Sequence, residues 1–575
     1  MDTISTQVWD IKYRYRYQGQ ILDSTIEDTW HRVAKAVAYP ELTPLRREWE
    51  RKFYDILSDF RFLPGGRILA GAGTKHHVTL FNCFVMHLEG DSLEAIFNAL
   101  KEGALTLQQG GGIGYDFSVL RPRGSAVRRA GTIASGPVSF MRIWDKMSET
   151  LLATGSRRGA MMGVLRCDHP DIEEFIEAKS TANELRHFNI SVMISDAFMQ
   201  AVTENADWPL VFSGCVVRRV RARKLWQRII RHAYDHAEPG VLFEDTINRF
   251  NNLWYCEHIS ATNPCGEIPL PAYGACNLGS LNLTQFVMNA FSSQAELNWQ
   301  EIAKVTAIAT RFLDNVIDLS RYPLKAQKQQ ALATRRIGLG ITGLADMFVM
   351  LNLRYGSSES LAVASKLMQL IAEVTWRTSI ELAQEKGSFP AFQPDYLRGE
   401  FIKQFSADIR ETVARQGMRN SHHNTIAPTG SISLLANNVS AGLEPIFQPC
   451  YKRHMHVANG ELSAFHVTDY ALQLWEQHQQ ENTNSLPSAW VDVQTLLPED
   501  HLHVQAAVQP YIDNAVSKTI NLPHDFPFSG LEEVYSKAYV LGLKGCTVFR
   551  PNPTTGSVLE AQGAEDIDRC CQLGD

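Results

Sequence analysis

The segment NPCGE, residues 263–267, places an amide, a thiol and a carboxylate at alternating positions. In an extended segment alternate side chains project from the same face, so Asn263, Cys265 and Glu267 would share one site. A thiol between a hydrogen-bonding amide and a potential acid or base suits polar chemistry around a single sulfur. The prolines and the glycine of this stretch oppose a helix and predict an extended loop over 262–270 with little ladder bonding.

The chain has ten cysteines, and a second thiol, Cys276, follows the segment closely. Dispersed thiols without a CxxC pair indicate reduced core or catalytic residues, neither a disulfide framework nor structural zinc, and we expect no metal site. A single buried cysteine is usually a small inert hydrophobe, whereas several thiols beside an amide and a carboxylate favour chemistry. The adjacent pair Cys570 and Cys571 near the end of the chain suits thiol exchange.

Two glycine-rich segments are candidates for ligand binding. APTGSIS, residues 427–433, offers hydroxyl and backbone N–H groups that could hold phosphate without a basic cluster, although a capped helix start has the same residues. GGGIG, residues 110–114, is either a packing turn or a close approach to a ligand. It is not a dinucleotide fingerprint, because Phe117 stands where the third glycine of GxGxxG would be.

Composition limits the class of protein. With 575 residues the chain can form a large barrel or more than one domain. The balance of 55 basic against 62 acidic residues, a net charge of -7, gives no signal for nucleic-acid binding. There is no run of eighteen apolar residues and no apolar N-terminal leader, so we expect a cytoplasmic protein that does not enter a membrane.

The elements that must position these residues follow from periodicity. Residues 1–61 predict a helical N-terminal region, and from Phe62 glycine-rich segments alternate with apolar runs, as in an α/β core. Asp91 and Ser92 begin a predicted helix over 91–108. Further amphipathic helices are predicted over 223–236, 299–320 and 359–386, and a strand closed by prolines over 541–553.

Five segments in this order resemble the large catalytic subunit of ribonucleotide reductases: FNCFVMHLEGDSL, QQGGGIGYDFSVLRP, ATNPCGEIPL, GACNLGSLNL and IAPTGSIS. The similarity runs from about Phe62 to Asn552. Three segments, GGGIGYDFSVLRP, RRGAMMG and HPDIEEFI, are similar in sequence to those of the adenosylcobalamin-dependent class II enzymes. The resemblance implies a ten-stranded α/β barrel of two five-stranded halves over 62–555, with the radical cysteine on a central finger loop, and a flexible tail over 556–575.

The resemblance also implies an activity, the reduction of ribonucleotides, taken here as diphosphates, to 2′-deoxyribonucleotides. Cys265 would become a thiyl radical that takes the 3′ hydrogen, Glu267 would be the general base on the 3′ hydroxyl, and Asn263 would hydrogen-bond the same groups. Cys83 and Cys276 would be the redox pair that ends as a disulfide. Thioredoxin or glutaredoxin would reduce it again, with Cys570 and Cys571 as a shuttle.

Substrate and effector residues follow from the same matching. The phosphates would be held by Pro428, Thr429, Gly430, Ser431 and Ile432, while Arg67, Asn82 and Gly112 would approach the nucleotide; many relatives have threonine in place of Arg67. A deoxynucleotide or ATP effector would bind at the interface of a homodimer. Its positions match Asp91, Ser92, Leu93 and Arg121, with Gly155 to Met162 as the loop to the substrate, although Asp91 could also be a plain helix cap.

The source of the radical is indicated by the absence of a tyrosine pair near the end of the predicted barrel. Class I relatives receive it from a second protein through a tyrosine pair, but residues 544–549, KGCTVF, contain no tyrosine. This implies adenosylcobalamin as the cofactor. The alternatives are a class I large subunit with an unseen partner, a non-catalytic nucleotide-sensing relative, and a cysteine hydrolase, for which no histidine partner is evident. Residues 1–61 are too short for an ATP-cone, so we expect no overall-activity switch.

Overall fold

The N-terminal region is helical, as the sequence predicts. The computed structural model describes residues 1–127, 132–151, 160–181, 184–456, 462–478, 486–551 and 559–561. The second helix begins at Thr25 with a capping box to Asp28 and buries Val33 and Val37. The helices of this region are Thr3–Val8, Ile26–Ala38 and Arg46–Leu57, and a single π-helical turn, Trp9–Tyr13, follows the first of them.

A sheet of ten strands forms the centre of the molecule. In chain order its strands are β1 (Phe62–Pro64), β2 (Cys83–Val85), β3 (Gly112–Asp116), β4 (Met161–Arg166), β5 (Phe188–Ile194), β6 (Gly240–Phe243), β7 (Ala275–Asn282), β8 (Ile337–Thr342), β9 (Thr519–Asn521) and β10 (Gly545–Phe549). Their order in the sheet is β8-β7-β2-β3-β4-β5-β6-β10-β9, and β1 pairs with β7 beside this path.

Two sets of parallel strands build the sheet. Strands β2 to β6 are parallel to one another, and so are β7 with β8 and β9 with β10. The sets meet in antiparallel pairs, β7 with β2 and β6 with β10. Parallel neighbours need crossover connections, and helices supply them in this chain.

The segment 424–426 closes the sheet into a barrel. Leu339 of β8 pairs in parallel with Asn424, and Ile426 pairs in parallel with Val516, just before β9. Backbone hydrogen bonds from Thr425 to Leu339 (3.1 Å) and from Ile426 to Ala515 (3.1 Å) support these pairings. With this segment the second half also has five parallel strands, which confirms the predicted barrel of two five-stranded halves.

A hairpin occupies the interior of the barrel. Ala261–Thr262 pairs antiparallel with Pro269–Leu270, and its apolar residues pack against inward-facing strand residues in one buried cluster. Gly114 of β3 makes room for it, because a Cβ there would lie 1.8 Å from the carbonyl oxygen of Thr262. The buried cluster contains Ala261, Ile268 and Leu270 of the hairpin together with Cys83, Val85, Met162, Val164, Met193, Leu242, Cys276 and Leu278 of the strands.

Helices cover the outside of the barrel. The hairpin fills the space along the inward faces of the strands, and the helices cover their apolar outward faces. The amphipathic helices predicted from periodicity are confirmed as Leu93–Gln108, Ala222–His236, Trp299–Leu319 and Ser358–Lys386. The remaining α-helices are Gly66–Gly71, Pro137–Thr150, Ile172–Ile176, Asp196–Thr203, Glu244–Arg249, Lys325–Thr334, Leu344–Met350, Ala407–Gln416, Gly430–Leu435, Tyr470–His478, Pro498–Val508 and Phe528–Val540. Within the described residues no helix is long and apolar enough to cross a membrane.

Small sheets lie outside the barrel. The hairpins are Arg16–Tyr17 with Gln20–Ile21, Ala126–Val127 with Thr132–Ile133, Asp207–Phe212 with Cys215–Arg221, and Val287–Met288 with Glu296–Leu297. A three-stranded sheet is formed by Cys450–His456, Leu462–Thr468 and Leu559–Ala561.

The last of these strands lies within residues 556–575, for which the sequence predicts a flexible tail. Leu559–Ala561 pairs antiparallel with Cys450–His456. An open strand edge accepts a further strand through backbone hydrogen bonds, which side-chain patterns in a short polar tail do not reveal. Cys570 and Cys571 lie outside the described residues.

Candidate active site

The loop that carries Cys265 is a tight turn, which corrects the extended conformation predicted over 262–270. The N–H of Gly266 donates to the carbonyl of Asn263 at 3.1 Å, and Gly266 has a φ of 81°. Only the ends of the segment are paired as strands. Asn, Pro and Gly at the first, second and fourth positions are the residues that β-turns prefer, so the signal was present in NPCG.

Asn263 and Glu267 converge on the thiol of Cys83. The side-chain amide of Asn263 donates to the sulfur of Cys83 at 3.1 Å, and this thiol donates to Oε1 of Glu267 at 3.7 Å. Asn263, Glu267 and Cys83 are all buried. The turn therefore brings the amide and the carboxylate together, as the alternation predicts, but around a sulfur from a neighbouring strand.

Both halves of the barrel hold the turn. Asn189 of β5 donates to the carbonyl of Pro264 at 2.8 Å. The carbonyl of Glu267 accepts from the N–H of Ala515 at 2.9 Å and from the hydroxyl of Thr425 at 2.8 Å. Because these contacts come from opposite sides of the barrel, the backbone on each side of Cys265 is fixed at the centre.

Cys83 of β2 and Cys276 of β7 lie opposite each other on neighbouring strands. They are directly opposite in the antiparallel register of β2 and β7. Directly opposite residues in such a pair have Cα atoms about 4.5–5.5 Å apart, which lies within the range that a disulfide spans. Burial raises the pKa of the Cys276 thiol far above its usual value, an effect that the nearby Arg336 only partly offsets. Cys276 is therefore held as a neutral thiol.

Cys265 is half-exposed, whereas Asn263, Glu267, Cys83 and Cys276 are buried. Next to its turn lie two predicted substrate residues: the N–H of Gly112 donates to the carbonyl of Asn82 at 2.7 Å, and a Cβ on Gly112 would lie 3.2 Å from the ring of Pro264. The guanidinium of Arg67 lies against Gly110, where a Cβ would be 2.5 Å away. Gly112 thus lies against the turn that carries Cys265, and Arg67 lies against the same glycine run.

The turn of APTGSIS leads into the short helix Gly430–Leu435. Thr429 has a φ of 54°, and its hydroxyl accepts from the N–H of Gly442 at 2.9 Å and shares a hydrogen bond with Thr342 at 2.9 Å. This hydroxyl fixes the turn from within the protein. Pro428, Gly430 and Ser431 are half-exposed, and Ile432 is buried.

The predicted effector residues lie together at one end of helix Leu93–Gln108. The hydroxyl of Ser92 caps the helix by accepting from the N–H of Ala95 at 3.1 Å, and Leu93 is exposed. Arg121 forms an ion pair with Asp91. Of the predicted loop Gly155 to Met162, residues 155–159 lie outside the described residues, and Met161 and Met162 belong to β4.

Three residues at this site were not predicted from the sequence. Asn189 and Thr425 hold the turn, and Lys12 of the N-terminal region donates to the hydroxyl of Ser431 at 2.7 Å. None lies in a motif, and each reaches the site only through a contact distant in sequence. No local signal could have found them.

The fold and the site define a barrel protein with a thiol centre, and comparison with known proteins identifies which one. The family model for the ribonucleotide reductase barrel domain matches residues 81–549, and that for the ribonucleotide reductase all-alpha domain matches residues 1–77. The chain belongs to the ribonucleotide reductase large-subunit family.

Three relatives illustrate the similarity. A protein of Mycobacterium tuberculosis named vitamin B12-dependent ribonucleoside-diphosphate reductase is 38% identical over 96% of this chain and 79% of its own length. A protein of the same name from Thermoplasma acidophilum is 38% identical over 89% of this chain and 66% of its own length. The ribonucleoside-diphosphate reductase subunit alpha of Chlamydia pneumoniae is 26% identical over 95% of this chain and 58% of its own length.

Proposed function

We propose that this protein reduces ribonucleoside diphosphates to 2′-deoxyribonucleoside diphosphates at Cys265, inside the barrel. The observation that carries the proposal is the opposition of Cys83 and Cys276 in register, with Asn263 and Glu267 hydrogen-bonded to Cys83. The diphosphate is supported by the names of the relatives from Mycobacterium tuberculosis and Thermoplasma acidophilum.

The first half of the reaction opens the substrate to reduction. The thiyl radical of Cys265 takes the hydrogen atom from the 3′ carbon of the ribose. Glu267 accepts the proton of the 3′ hydroxyl, and the 2′ hydroxyl leaves as water after receiving a proton from a thiol of the redox pair. Asn263, fixed through its Oδ1 by the N–H of Ile268 at 3.0 Å, orients these polar groups.

The second half delivers two electrons. Cys83 and Cys276 give up both thiol hydrogens and end as a disulfide: one proton leaves with the water, and one hydrogen atom goes to the 2′ carbon. The electron released as the disulfide forms reduces the 3′ position, whose oxygen takes back the proton held by Glu267. Cys265 then returns the hydrogen atom to the 3′ carbon and is again a radical. In sum, one ribonucleotide and one dithiol give one deoxyribonucleotide, one disulfide and one water.

Adenosylcobalamin fits the residues that are present. Cys265 is half-exposed while Cys83, Cys276, Asn263 and Glu267 are buried, so of these five Cys265 is the group that another molecule can reach. Strand β10, residues Gly545–Phe549, has no tyrosine pair that could carry a radical from a second protein. Bound adenosylcobalamin supplies the oxidising equivalent that removes the hydrogen atom of the Cys265 thiol. The chain's own task is to shield that sulfur from water.

Thioredoxin or glutaredoxin is the proposed electron donor, and the cytoplasm the proposed location. Cys276 is fully buried, so a protein donor needs an intermediate carrier. Cys570 and Cys571 are the proposed carrier.

A homodimer with an effector site at its interface is supported by helix Leu93–Gln108. Leu93, Phe97 and Leu105 form an exposed apolar stripe at helical spacing, and Ile143 of the neighbouring helix Pro137–Thr150 is also exposed. A second copy would cover this stripe. Asp91, Ser92, Leu93 and Arg121 lie at one end of it, where a deoxynucleotide or ATP would bind.

The test is anaerobic turnover of CDP by the purified chain with adenosylcobalamin and a small dithiol, with Cys265→Ser as the matched variant. We expect deoxycytidine diphosphate from the wild type and none from Cys265→Ser. Without external reductant, a single turnover should leave a Cys83–Cys276 disulfide, detected by mass spectrometry of peptides. Turnover that requires a second protein and not adenosylcobalamin would establish the class I alternative instead.

A further inference from the structure

Lys12 brings a positive charge from the N-terminal helical region to the phosphate turn. Its ammonium donates to the hydroxyl of Ser431 at 2.7 Å, across 419 positions of sequence. Ser431 is one of the residues to which the proposed function assigns the substrate phosphates. Lys12 itself is half-buried and belongs to the π-helical turn Trp9–Tyr13. Such single π-helical turns frequently occur at functional sites.

The segment that carries Lys12 is fixed on both sides. Before it, the hydroxyl of Ser5 donates to the carbonyl of Leu434 at 2.7 Å and accepts from the N–H of Asn437 at 3.1 Å. After it, the hydroxyl of Tyr13 lies 3.2 Å from where a Cβ on Gly66 would be. The N-terminal segment therefore spans the distance between the phosphate turn and the turn that precedes Arg67. The backbone that carries Lys12 is thus fixed by contacts on both sides.

The residues of the phosphate turn carry no positive charge of their own. Residues 428–432 contain no cationic side chain, whereas a nucleoside diphosphate carries more than one negative charge. A half-buried ammonium beside a hydroxyl can donate to phosphate oxygens in charge-assisted hydrogen bonds, which are stronger than those between neutral groups.

We infer that Lys12 binds the diphosphate of the substrate together with Ser431, and that the N-terminal helical region thereby completes the substrate site. This inference rests on the proposed function for the identity of the substrate. It adds a cation to a phosphate site that the barrel alone builds from neutral groups. It also gives the N-terminal region a direct part in substrate selection.

The test measures binding, independently of turnover. Lys12→Met removes the charge at similar length, Lys12→Arg keeps it, and Lys35→Met on the exposed face of helix Ile26–Ala38 is the matched control. Affinities for CDP, CMP and cytidine are measured by titration calorimetry on the full chain. Loss of a charge-assisted hydrogen bond should weaken the binding of CDP about tenfold or more. The binding of CMP should weaken less, and that of cytidine should not change. Lys12→Arg should recover most of the CDP affinity, and Lys35→Met should bind like the wild type.

Two outcomes would overturn the inference: unchanged CDP affinity in Lys12→Met, or equal weakening of CDP, CMP and cytidine, which indicates a structural disturbance. With adenosylcobalamin and a dithiol, Lys12→Met should raise KM for CDP and retain kcat. A wild type that binds CDP without reducing it contradicts the proposed function. In that case, the comparison of CDP, CMP and cytidine affinities still decides whether Lys12 binds the phosphates.

Discussion

At the scale of residues, the site depends on which thiol each polar group faces. Asn263 and Glu267 contact Cys83, and Cys83 lies opposite Cys276, so the amide and the carboxylate adjoin this pair of thiols. A carboxylate that accepts a hydrogen bond from a thiol can pass protons between that thiol and a substrate hydroxyl. Glu267 is therefore placed to serve both ends of the proton transfer.

Glu267→Gln should abolish most of the activity. Glutamine keeps the size of the side chain but cannot accept a proton, so we expect turnover to fall by about 10²- to 10⁴-fold, the usual contribution of a general base. Anaerobic product formation from CDP measures this. Glu296→Gln, on an exposed strand far from the barrel interior, is the control. Turnover of Glu267→Gln within a few-fold of the wild type would remove Glu267 from its assigned role.

The raised pKa of Cys276 predicts a slow reaction with iodoacetamide. Only the thiolate reacts, and a pKa above the usual value leaves a smaller thiolate fraction at any given pH. At pH about 8 the exposed Cys215 should be alkylated first and Cys276 last, and unfolding in urea should abolish the difference. Peptide mass spectrometry gives the order. Equal rates in the folded protein would show that Cys276 is neither buried nor neutral.

At the scale of elements, the barrel and the hairpin fit together through close approach of backbones. Gly114 lets the Thr262 carbonyl approach β3, and Gly340 similarly lets segment 424–426 approach β8, because a Cβ there would lie 2.1 Å from the carbonyl oxygen of Thr425. These glycines permit approach of main chain to main chain, where no side chain can move aside. The position of Cys265 thus depends on glycine in a different element.

Gly114→Ala should displace the hairpin. The added methyl group overlaps the Thr262 carbonyl, so we expect a loss of about 3 kcal/mol or more in stability, since overpacking of a rigid core typically costs about 1–3 kcal/mol. Thermal unfolding and CDP turnover should both decline. Gly90→Ala, where a Cβ would meet nothing within 4 Å, is the matched control. An active and equally stable Gly114→Ala protein would contradict the seating of the hairpin against β3.

At the scale of the whole molecule, a buried ionic network joins the N-terminal helices to the barrel. Glu41 follows the second helix and accepts hydrogen bonds from Arg311 at 2.7 Å, Asn315 at 2.8 Å and Lys386 at 3.0 Å. Although burial alone would raise the pKa of Glu41, its hydrogen bonds and cationic neighbours lower it to about 2 from 4.5.

Glu41→Gln should weaken this attachment, and the effect should depend on pH. Removing one partner of a buried ionic network costs about 3 kcal/mol. Because the folded pKa lies below the unfolded one, the carboxylate stabilises the protein fully above pH 4.5 and loses this effect as the pH falls towards 2. The difference in unfolding temperature between wild type and variant should thus be nearly constant above about pH 5 and shrink as the pH falls from 4.5 towards 2.

The exposed carboxylate of Glu48 supplies the control for this experiment. Glu48→Gln should change stability little at any pH, since Glu48 forms a surface ion pair with Lys52, and such pairs contribute little. A difference for Glu41→Gln that does not change with pH would contradict the assignment of a charged Glu41 in the folded protein.

Much of the fold was predictable because local signals agreed with it. The helices over 93–108, 222–236, 299–319 and 358–386 follow from apolar periodicity, and Ser92 marks a helix start by its chemistry. At NPCG the β-turn preferences of Asn, Pro and Gly prevail over the alternation that predicts an extended segment. The pairing of Leu559–Ala561 with Cys450–His456 has no local signal, because backbone pairing with a distant edge leaves no mark on so short a segment.

The sequence by itself determined the chemical groups: a thiol beside an amide and a carboxylate, further thiols, and a hydroxyl-rich turn. It also determined the family, because ordered motifs are read along the chain. Only the tertiary structure decided that Cys83 faces Cys276, that segment 424–426 closes the barrel, and that Lys12 reaches Ser431. These contacts join residues far apart in sequence, and their partners are selected by packing and register across the whole barrel, which no local pattern records.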